Sequence, residues 1–257
     1  VLEDQLYETE EGFKQSLTGV YVELNQKTLY GGDLMFRMVE ILAQRYNLSS
    51  IGTYKEWIAY NYSDDDVKAS IDALWQKMYS LIMNCNKLME NADLRKDVFT
   101  GDNYNLIYGE ALALRAMLHF DLLRMYGPIY KENPGAKRIA YRTEFTKDAQ
   151  SMQSSNVVVD SIIADLKKAE VLLTNTDPLR FDFPITTSEE SNMEGDRFLV
   201  YRHKRMNLYA VKAMLARVYL YAGNQELAAK YANEVIDSDL FELLSNANDV
   251  LRSKEII

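Results

Sequence analysis

Four aromatic side chains and one amide lie close together in residues 49–63, a stretch with the residue pattern of a loop: Tyr54, Trp57, Tyr60, Asn61 and Tyr62. An exposed ring stacks on the apolar face of a sugar, while an amide or carboxylate, here Asn61 or Asp33, binds its hydroxyl groups. One aromatic contact contributes about 1 kcal/mol, whereas a millimolar Kd requires roughly 4 kcal/mol, so several rings must converge. The loop is therefore predicted to contribute to a glycan-binding surface, with Trp57 as the stacking platform. The open alternative is that these rings pack the loop onto the helices.

The sequence offers little for metal or covalent chemistry. Its two histidines, His119 and His203, lack the spacing of a zinc pair. The three aspartates at 64–66 are typical of a helix start, because Ala69 and Trp75 stand where a calcium loop needs Gly and Glu. We expect no metal site, no cofactor and no enzymatic activity. An all-α glycoside hydrolase with two facing carboxylates in a cleft is kept as an alternative.

The composition is that of an acidic globular protein: 257 residues, 47% hydrophobic, with a net charge of −9. This charge argues against nucleic acid as a partner, because phosphate binding needs a basic surface. The basic run 202–205 is the local exception, and we interpret it as the solvated start of a helix. The single cysteine, Cys85, lies in an apolar helical pattern and is predicted to be a buried thiol. No transmembrane or signal segment is visible, so the residues alone indicate a cytoplasmic protein.

Residues 108–127 form the most distinctive stretch, free of proline and with glycine only near its ends. They are mostly strong helix formers and predict one long helix that stops at Gly127-Pro128. Glu110 lies on a narrow polar stripe and the other faces are apolar, so other helices should surround this one. Arg115 cannot lose its charge and, if buried, needs a carboxylate partner. Arg115 and His119, one turn apart, are predicted to be structural; a catalytic or ligand-binding pair is the alternative.

Apolar residues at helical spacing predict seven helices and no sheet larger than a pair of short strands. Two long connections, 127–155 and 177–202, interrupt them, and connections of this length are often functional. The last two helices resemble a tetratricopeptide unit. We therefore predict an all-α fold of stacked helix hairpins, a tetratricopeptide-like solenoid interrupted by long loops. The predicted helices cover residues 10–25, 33–48, 64–90, 108–127, 156 to at least 173, 206–222 and 225–238, with caps at Thr9, Asp33, Asp64 and either Ser155 or Asn156.

The central stretch also resembles the hallmark helix of the SusD/RagB family, outer-membrane nutrient-binding lipoproteins of Bacteroidetes. The similar positions are Glu110-Ala111, Leu114-Arg115-Ala116, Phe120-Asp121-Leu122 and Tyr126-Gly127. Weaker similarities in the helix before it and in the helices after it follow the family's order and cover most of the chain. They include Trp75, Tyr79, Asn86, Ile162, Asp165, Ala216, Tyr219 and Gly223.

The resemblance implies that residues 1–257 form the family's helical N-terminal lobe, with its second lobe absent from this chain. It implies a nutrient glycan or oligosaccharide as ligand and a TonB-dependent (SusC-like) outer-membrane transporter as partner. It also implies a position at the cell surface of the outer membrane, held by a lipid anchor outside this chain. Family members begin with a signal peptide and a lipidated cysteine, which Val1 does not follow, so a processed or trimmed form is expected. The alternative function is a helical-repeat scaffold that binds proteins and has no ligand site.

Overall fold

The computed structural model describes residues 3–48, 52–181, 197–199 and 202–241. Across these ranges the chain forms eight α-helices and one antiparallel pair of very short strands, in which Lys137 lies opposite Ser154. The prediction of an all-α fold is confirmed. The helices are α1 (Glu10–Leu24), α2 (Met38–Leu42), α3 (Lys55–Ile58), α4 (Asp65–Leu94), α5 (Asn103–Tyr126), α6 (Ser155–Leu173), α7 (Leu208–Tyr221) and α8 (Gln225–Ile236), and the strands are β1 (Lys137–Ile139) and β2 (Gln153–Ser154).

Helix α5 lies at the centre of the fold, and α4, α6 and α1 pack against it. Nearly every residue from Leu106 to Leu123 is buried, as predicted for a helix that is apolar on most sides. Gly109 permits the closest approach to α6, because a Cβ at this position would lie 3.0 Å from Cγ of Leu173. Even so, neither α5 nor any other helix in the described ranges is long and apolar enough to cross a membrane.

Successive long helices pack against one another and build the predicted stack of hairpins. Helix α4 contacts α5, α5 contacts α6, α6 contacts α7, and α7 contacts α8. The α7–α8 turn uses Gly223 at φ +84, a conformation that glycine adopts without strain. Asn224 then caps α8 by accepting a hydrogen bond from the backbone N–H of Leu227 at 3.0 Å. The rings of Tyr219 and Tyr231 stack between the two helices at a centroid distance of 5.7 Å.

Two predicted N-caps are confirmed and two are wrong. Thr9 and Asp64 accept hydrogen bonds from the first turns of α1 and α4. Asp33 caps no helix, because its carboxylate pairs with Arg37 and the chain turns tightly before the short α2. Helix α6 begins after Ser154, and the hydroxyl of Ser155 instead donates to the carbonyl of Ala136 at 3.0 Å.

The region between α1 and α4 differs most from the prediction. The helix expected over 33–48 is reduced to Met38–Leu42, and residues 49–63 are not all loop, since they contain Gly52–Tyr54, a 3-10 turn, and α3. Residues 49–51, and residues 182–196 and 200–201 of the connection predicted over 177–202, lie outside the described ranges. Elsewhere in the chain, short 3-10 helices occur at Glu3–Glu8, Lys96–Val98, Pro178–Phe181, Arg197–Leu199 and Arg202–Lys204.

Candidate functional site

The two short helices α2 and α3 end in the same way and cap each other. After each helix the chain passes through a residue with positive φ, Gln44 at +57 and Tyr60 at +54. Backbone N–H groups of Arg45 and Asn61 return to carbonyls three residues before the caps, which is the hydrogen-bond pattern of a Schellman motif. A non-glycine residue in this conformation costs about 1–3 kcal/mol. The side chains of these two residues therefore need to contribute contacts that offset the strain.

Reciprocal hydrogen bonds provide those contacts. The amide of Gln44 donates to the carbonyl of Ile58, the last residue of α3, at 3.2 Å. The hydroxyl of Tyr60 donates to the carbonyl of Leu42, the last residue of α2, at 3.0 Å. Each helix end thus receives a donor for a carbonyl that its own turns leave unpaired, and the two short helices are held together.

Four rings on the segments that flank these two helices are exposed to solvent, and we call them the aromatic surface. Their exposed fractions are 63% for Phe36, 45% for Tyr46, 46% for Tyr60 and 53% for Tyr62. The hydroxyl of Tyr46 donates to the backbone carbonyl of Phe36 at 2.8 Å, which links the two ends of the α2 region. A group of exposed rings of this kind can serve as a contact surface.

The six residues predicted to bind a ligand fall into three groups. Tyr60 and Tyr62 belong to the aromatic surface. Trp57 and Tyr54 are half-buried, and Trp57 packs against the core. The prediction that Trp57 is the stacking platform stays a prediction.

The predicted polar residues, Asp33 and Asn61, have partners within the chain. The carboxylate of Asp33 accepts a hydrogen bond from Nε of Arg37 at 2.7 Å. The amide of Asn61 donates to the carboxylate of Glu56 at 2.7 Å. Residues 33–62 carry three cationic side chains, Arg37, Arg45 and Lys55, and three acidic ones, Asp33, Glu40 and Glu56, so this segment has no net charge.

Arg115 has the carboxylate partner that the sequence predicts for a buried arginine. Its Nε and Nη2 donate to the two oxygens of Asp165 on α6, at 2.7 and 2.8 Å. Its Nη1 donates to the side-chain oxygen of Asn86 on α4 and to the carbonyl of Thr143. The hydroxyl of Tyr141 also donates to Asp165, at 2.5 Å. Arg115 therefore joins three helices to the connection between α5 and α6, and every one of its nitrogens is occupied.

His119 is fully buried beside this network, and both of its ring nitrogens are used. Nδ1 donates to the carbonyl of Arg115 at 2.9 Å, and Nε2 accepts from the backbone N–H of Arg142 at 2.9 Å. Its ring stacks on Tyr141 at 4.0 Å. Burial lowers the pKa of His119 to about 3, so the imidazole is neutral. A neutral histidine with no unbound nitrogen orders the connection and has no nitrogen left for a substrate.

The interpretation of residues 202–205 as a solvated helix start is wrong for Arg202. This side chain is buried and forms ion pairs with Glu110 of α5 and Asp177, the latter at 2.9 Å. Asp177 also accepts from the first N–H of α7, that of Leu208, at 2.8 Å. The hydroxyl of Tyr21 donates to Glu110 at 2.5 Å. Two buried carboxylates need a buried cation, and this requirement draws Arg202 into the core.

Two concave regions lie away from the predicted ligand residues. A groove of about 900 Å³ runs along α1, lined by Thr18, Gly19 and Val22 among others. A smaller pocket of about 330 Å³ lies where α4 and α5 meet residues 143–146, and Glu90 and Asp93 line it. The groove is lined mainly by helix side chains, as expected of a protein-binding scaffold.

Metal and thiol chemistry find no support in this part of the chain. Among the described residues, no group of three His, Cys, Asp or Glu side chains is arranged to hold a metal ion. Cys85 is buried as predicted, and burial raises the pKa of its thiol to about 12. The thiol is therefore protonated and unreactive.

With this geometry in hand, the chain can be compared with known proteins. The family model SusD-like_3, described as "Starch-binding associating with outer membrane", matches residues 2–183. This match covers well over half of the chain, including α1 to α6 and the whole aromatic surface. The chain belongs to this SusD-like family.

Two SusD-like relatives come from Formosa agariphila. SusD-like protein P2 is 24% identical over 98% of this chain and 46% of its own length. SusD-like protein P25 is 22% identical over 96% of this chain and 43% of its own length. The chain thus spans less than half the length of these curated relatives.

Solved SusD-like structures share the fold. A SusD homolog from Bacteroides thetaiotaomicron superposes with a TM-score of 0.68 at 21% identity, over 97% of this chain and 45% of its own. A SusD-like carbohydrate-binding protein from Bacteroides vulgatus gives 0.66 at 20% identity, over 92% and 46%. At such identities the likeness establishes the fold of this SusD-like chain.

Sequence reasoning missed two members of the aromatic surface and several members of the buried networks, among them Asp177 and Arg202. Phe36 and Tyr46 fall inside the helix expected over 33–48, where the pattern gave no reason to expect exposed rings. Asp177 and Arg202 fall in a connection that the pattern treated as solvated. Only the acidic Glu110, placed on an apolar helix, signals that a buried cation is required.

Proposed function

We propose that this SusD-like chain belongs to a protein that binds a nutrient glycan or oligosaccharide at the cell surface and passes it to a TonB-dependent outer-membrane transporter. The observation that carries this proposal is an exposed aromatic surface in a chain of this family. Rings with open faces suit the apolar faces of sugars, and four such rings lie on one short segment, residues 36–62.

The comparisons support glycan binding as the class of function. The family is described by starch binding, and one solved neighbour is named as a carbohydrate-binding protein. These names describe binding rather than catalysis, which supports a non-enzymatic role. The absence of net charge in residues 33–62 suits a neutral sugar, since no excess of cations is present to hold an anionic one.

The membrane association and the partner extend the proposal further. The family description places its members in association with the outer membrane. In our proposal the whole protein is held there by a lipid anchor outside this chain and acts with a SusC-like transporter. The whole of residues 1–257 then serves as the helical lobe of that protein. The helical stack provides a rigid support, because buried ion pairs join its helices to the connections between them.

A protein-binding scaffold is the second candidate, and the groove along α1 is the observation that favours it. Such a scaffold needs a groove lined by helix side chains and has no need for the exposed rings of the aromatic surface. The two candidates therefore place binding on different surfaces. An all-α hydrolase would require two facing carboxylates in a cleft, roughly 5–10 Å apart, and its activity would appear as release of shorter sugars.

The experiment is a binding survey with the full-length protein. Soluble starch, laminarin, xylan and polygalacturonate are titrated by calorimetry, and the products are examined for shortened chains. We expect saturable binding of at least one polysaccharide without cleavage, and co-purification of a TonB-dependent transporter from membranes under mild detergent. Failure to bind any member of the panel would contradict the glycan proposal. Cleavage without added enzyme would favour the hydrolase.

A further inference from the structure

Tyr46 and Tyr60 share an arrangement that Tyr62 lacks. Both rings are nearly half exposed, yet both hydroxyls are directed into the protein and donate to backbone carbonyls, of Phe36 at 2.8 Å and of Leu42 at 3.0 Å. Tyr62 is 53% exposed, and its hydroxyl makes no hydrogen bond within the part of the chain described here. Two of the rings on the aromatic surface are therefore fixed at both ends of the side chain.

We propose that Tyr46 and Tyr60 are preset stacking platforms for a neutral pyranose chain, and that their hydroxyl bonds hold the rings in the bound orientation before the sugar arrives. This inference rests on the proposed function and extends its site. It adds Tyr46 and Phe36, which lie outside residues 49–63, and it gives Tyr60 a positioning bond as well as a ring contact.

The physical reason is the cost of ordering side chains during binding. A free ring on the surface samples several rotamers and loses that freedom when a sugar stacks on it. A ring held at Cα and at Oη has lost the freedom already, so more of the stacking energy appears as affinity. The tyrosine is needed for this purpose, since phenylalanine has the same ring and no hydroxyl to hold it.

The backbone at Tyr60 supports the same conclusion independently. Its φ of +54 is one that glycine adopts freely and that a bulky residue adopts at a cost. Strain of this kind persists where the surrounding structure fixes it, often at ligand-binding positions. Here the bond from Tyr60 to Leu42 and the bond from Gln44 to Ile58 fix it from both sides. Glycine would end α3 equally well but would present no ring.

The ligand class follows from the charges around the rings. Arg37 pairs with Asp33 at 2.5 Å, and Arg45 lies 3.5 Å from Glu40. Two of the three cations of this segment thus have acidic partners, and the whole chain carries a net charge of −9. A uronic acid or a sulfated sugar would meet no excess of positive charge here. The rings favour an uncharged sugar face.

The test uses the full-length protein, calorimetric titration with soluble starch, laminarin, xylan and polygalacturonate, and matched tyrosine variants. Tyr46→Phe and Tyr60→Phe keep the ring and remove the bond, and we expect binding about three- to ten-fold weaker for each. Tyr104→Phe is the control, because it removes a tyrosine hydroxyl bond, to Asp93 at 2.7 Å, outside the aromatic surface, and it should bind as the wild type does. Tyr46→Ala and Tyr60→Ala remove the ring and should weaken binding more than the Phe variants. Binding should be confined to the uncharged polysaccharides.

A readout insensitive to folding completes the test. With ¹³C-labelled tyrosine, the ring signals of Tyr46 and Tyr60 should shift on titration, while the signal of the buried Tyr141 should not. If the wild type binds a polysaccharide and the Ala variants bind equally well, this inference is overturned while the proposed function stands. Equal binding by the Phe variants, with weaker Ala variants, would overturn the positioning bonds. Binding of polygalacturonate alone would overturn the ligand class. If the wild type binds none of the polysaccharides, the proposed function fails and the inference with it.

Discussion

Arg115 binds Asp165 through two parallel hydrogen bonds, from Nε to Oδ2 at 2.7 Å and from Nη2 to Oδ1 at 2.8 Å. The pair joins α5 to α6 and is largely removed from solvent. Paired geometry of this kind is the strong form of an arginine–carboxylate contact. Because Nη1 is bound by Asn86 and Thr143, the guanidinium is fully occupied, so Arg115 holds the scaffold and has no donor left for a ligand.

Removing this arginine should destabilise the fold strongly. We expect Arg115→Ala to lower the free energy of unfolding by about 3–5 kcal/mol, because Asp165 is left as an uncompensated buried charge. Lys96→Ala is the control, since both members of its pair with Asp93 are about half exposed and the pair should contribute less than about 1 kcal/mol. Urea denaturation measures both. If both variants lose the same free energy of unfolding, the Arg115–Asp165 pair contributes no more than an exposed ion pair.

The stability of the fold should be at least as sensitive to substitution of Arg202, although this residue lies in a basic run. Arg202→Met leaves Glu110 and Asp177 buried without their cation, and we expect a loss of about 3–5 kcal/mol or an unfolded protein. Arg202→Met with Glu110→Gln and Asp177→Asn should recover much of the loss, because the uncompensated charges are gone. The neighbouring, exposed Lys204→Met is the control and should change stability by less than about 0.5 kcal/mol. No recovery in the triple variant would contradict a charge-based explanation.

The protein should become less stable in acid, because the stabilising contribution of neutral His119 is lost as the pH falls. The pKa of His119 is about 3 in the folded chain against the ordinary histidine value of 6.5, so the unfolded chain binds the proton first. The contribution of neutral His119 is complete above pH 6.5 and falls by about 1.4 kcal/mol per pH unit as the pH drops from 6.5 towards 3. Denaturation curves between pH 5 and 7 measure the slope. His119→Gln should have a shallower slope than the wild type, and parallel slopes would contradict the assignment.

Two helical glycines should respond to alanine in opposite ways. Gly19→Ala in α1 places its Cβ in open space and should stabilise the helix by about 0.5–1 kcal/mol. Gly109→Ala gains the same propensity but places its Cβ 3.0 Å from Leu173, so it should be less stable than Gly19→Ala by about 1–3 kcal/mol. Thermal denaturation of the two single variants compares them directly. Similar gains would show that α5 and α6 separate easily at this point.

Substitution of Trp57 tests the ring that the sequence alone predicts to be the stacking platform. In the full-length protein, Trp57→Ala should weaken binding of whichever polysaccharide the survey identifies by about 1–3 kcal/mol if this ring contacts the sugar. Trp57→Phe keeps an aromatic face and should lose less. Because Trp57 packs partly on the core, melting temperatures must accompany the titrations. Wild-type affinity for Trp57→Ala would leave binding to the exposed rings alone.

The sequence by itself determined the long helices and some of their ends. Helix spacing, the caps at Thr9 and Asp64, and the turn at Gly223-Asn224 involve residues a few positions apart, so the chain contains the necessary information locally. The apolar faces of residues 108–127 likewise determined that this helix lies in the centre, because each face needs a packing partner. The residues of this helix also carry the resemblance to the SusD-like family, to which the chain belongs.

Only the tertiary structure decided which distant groups meet and which rings stay exposed. Arg202 pairs with Glu110, 92 positions earlier in the chain, and with Asp177, 25 positions earlier. Nothing local to residues 202–205 indicates these two ion pairs. The aromatic surface likewise depends on α2 and α3 being brought side by side, where Gln44 and Tyr60 cap each other's helix. Local patterns set the conformation of each segment. Burial of charge and exposure of rings depend on the path of the connections, which packing of the whole chain determines.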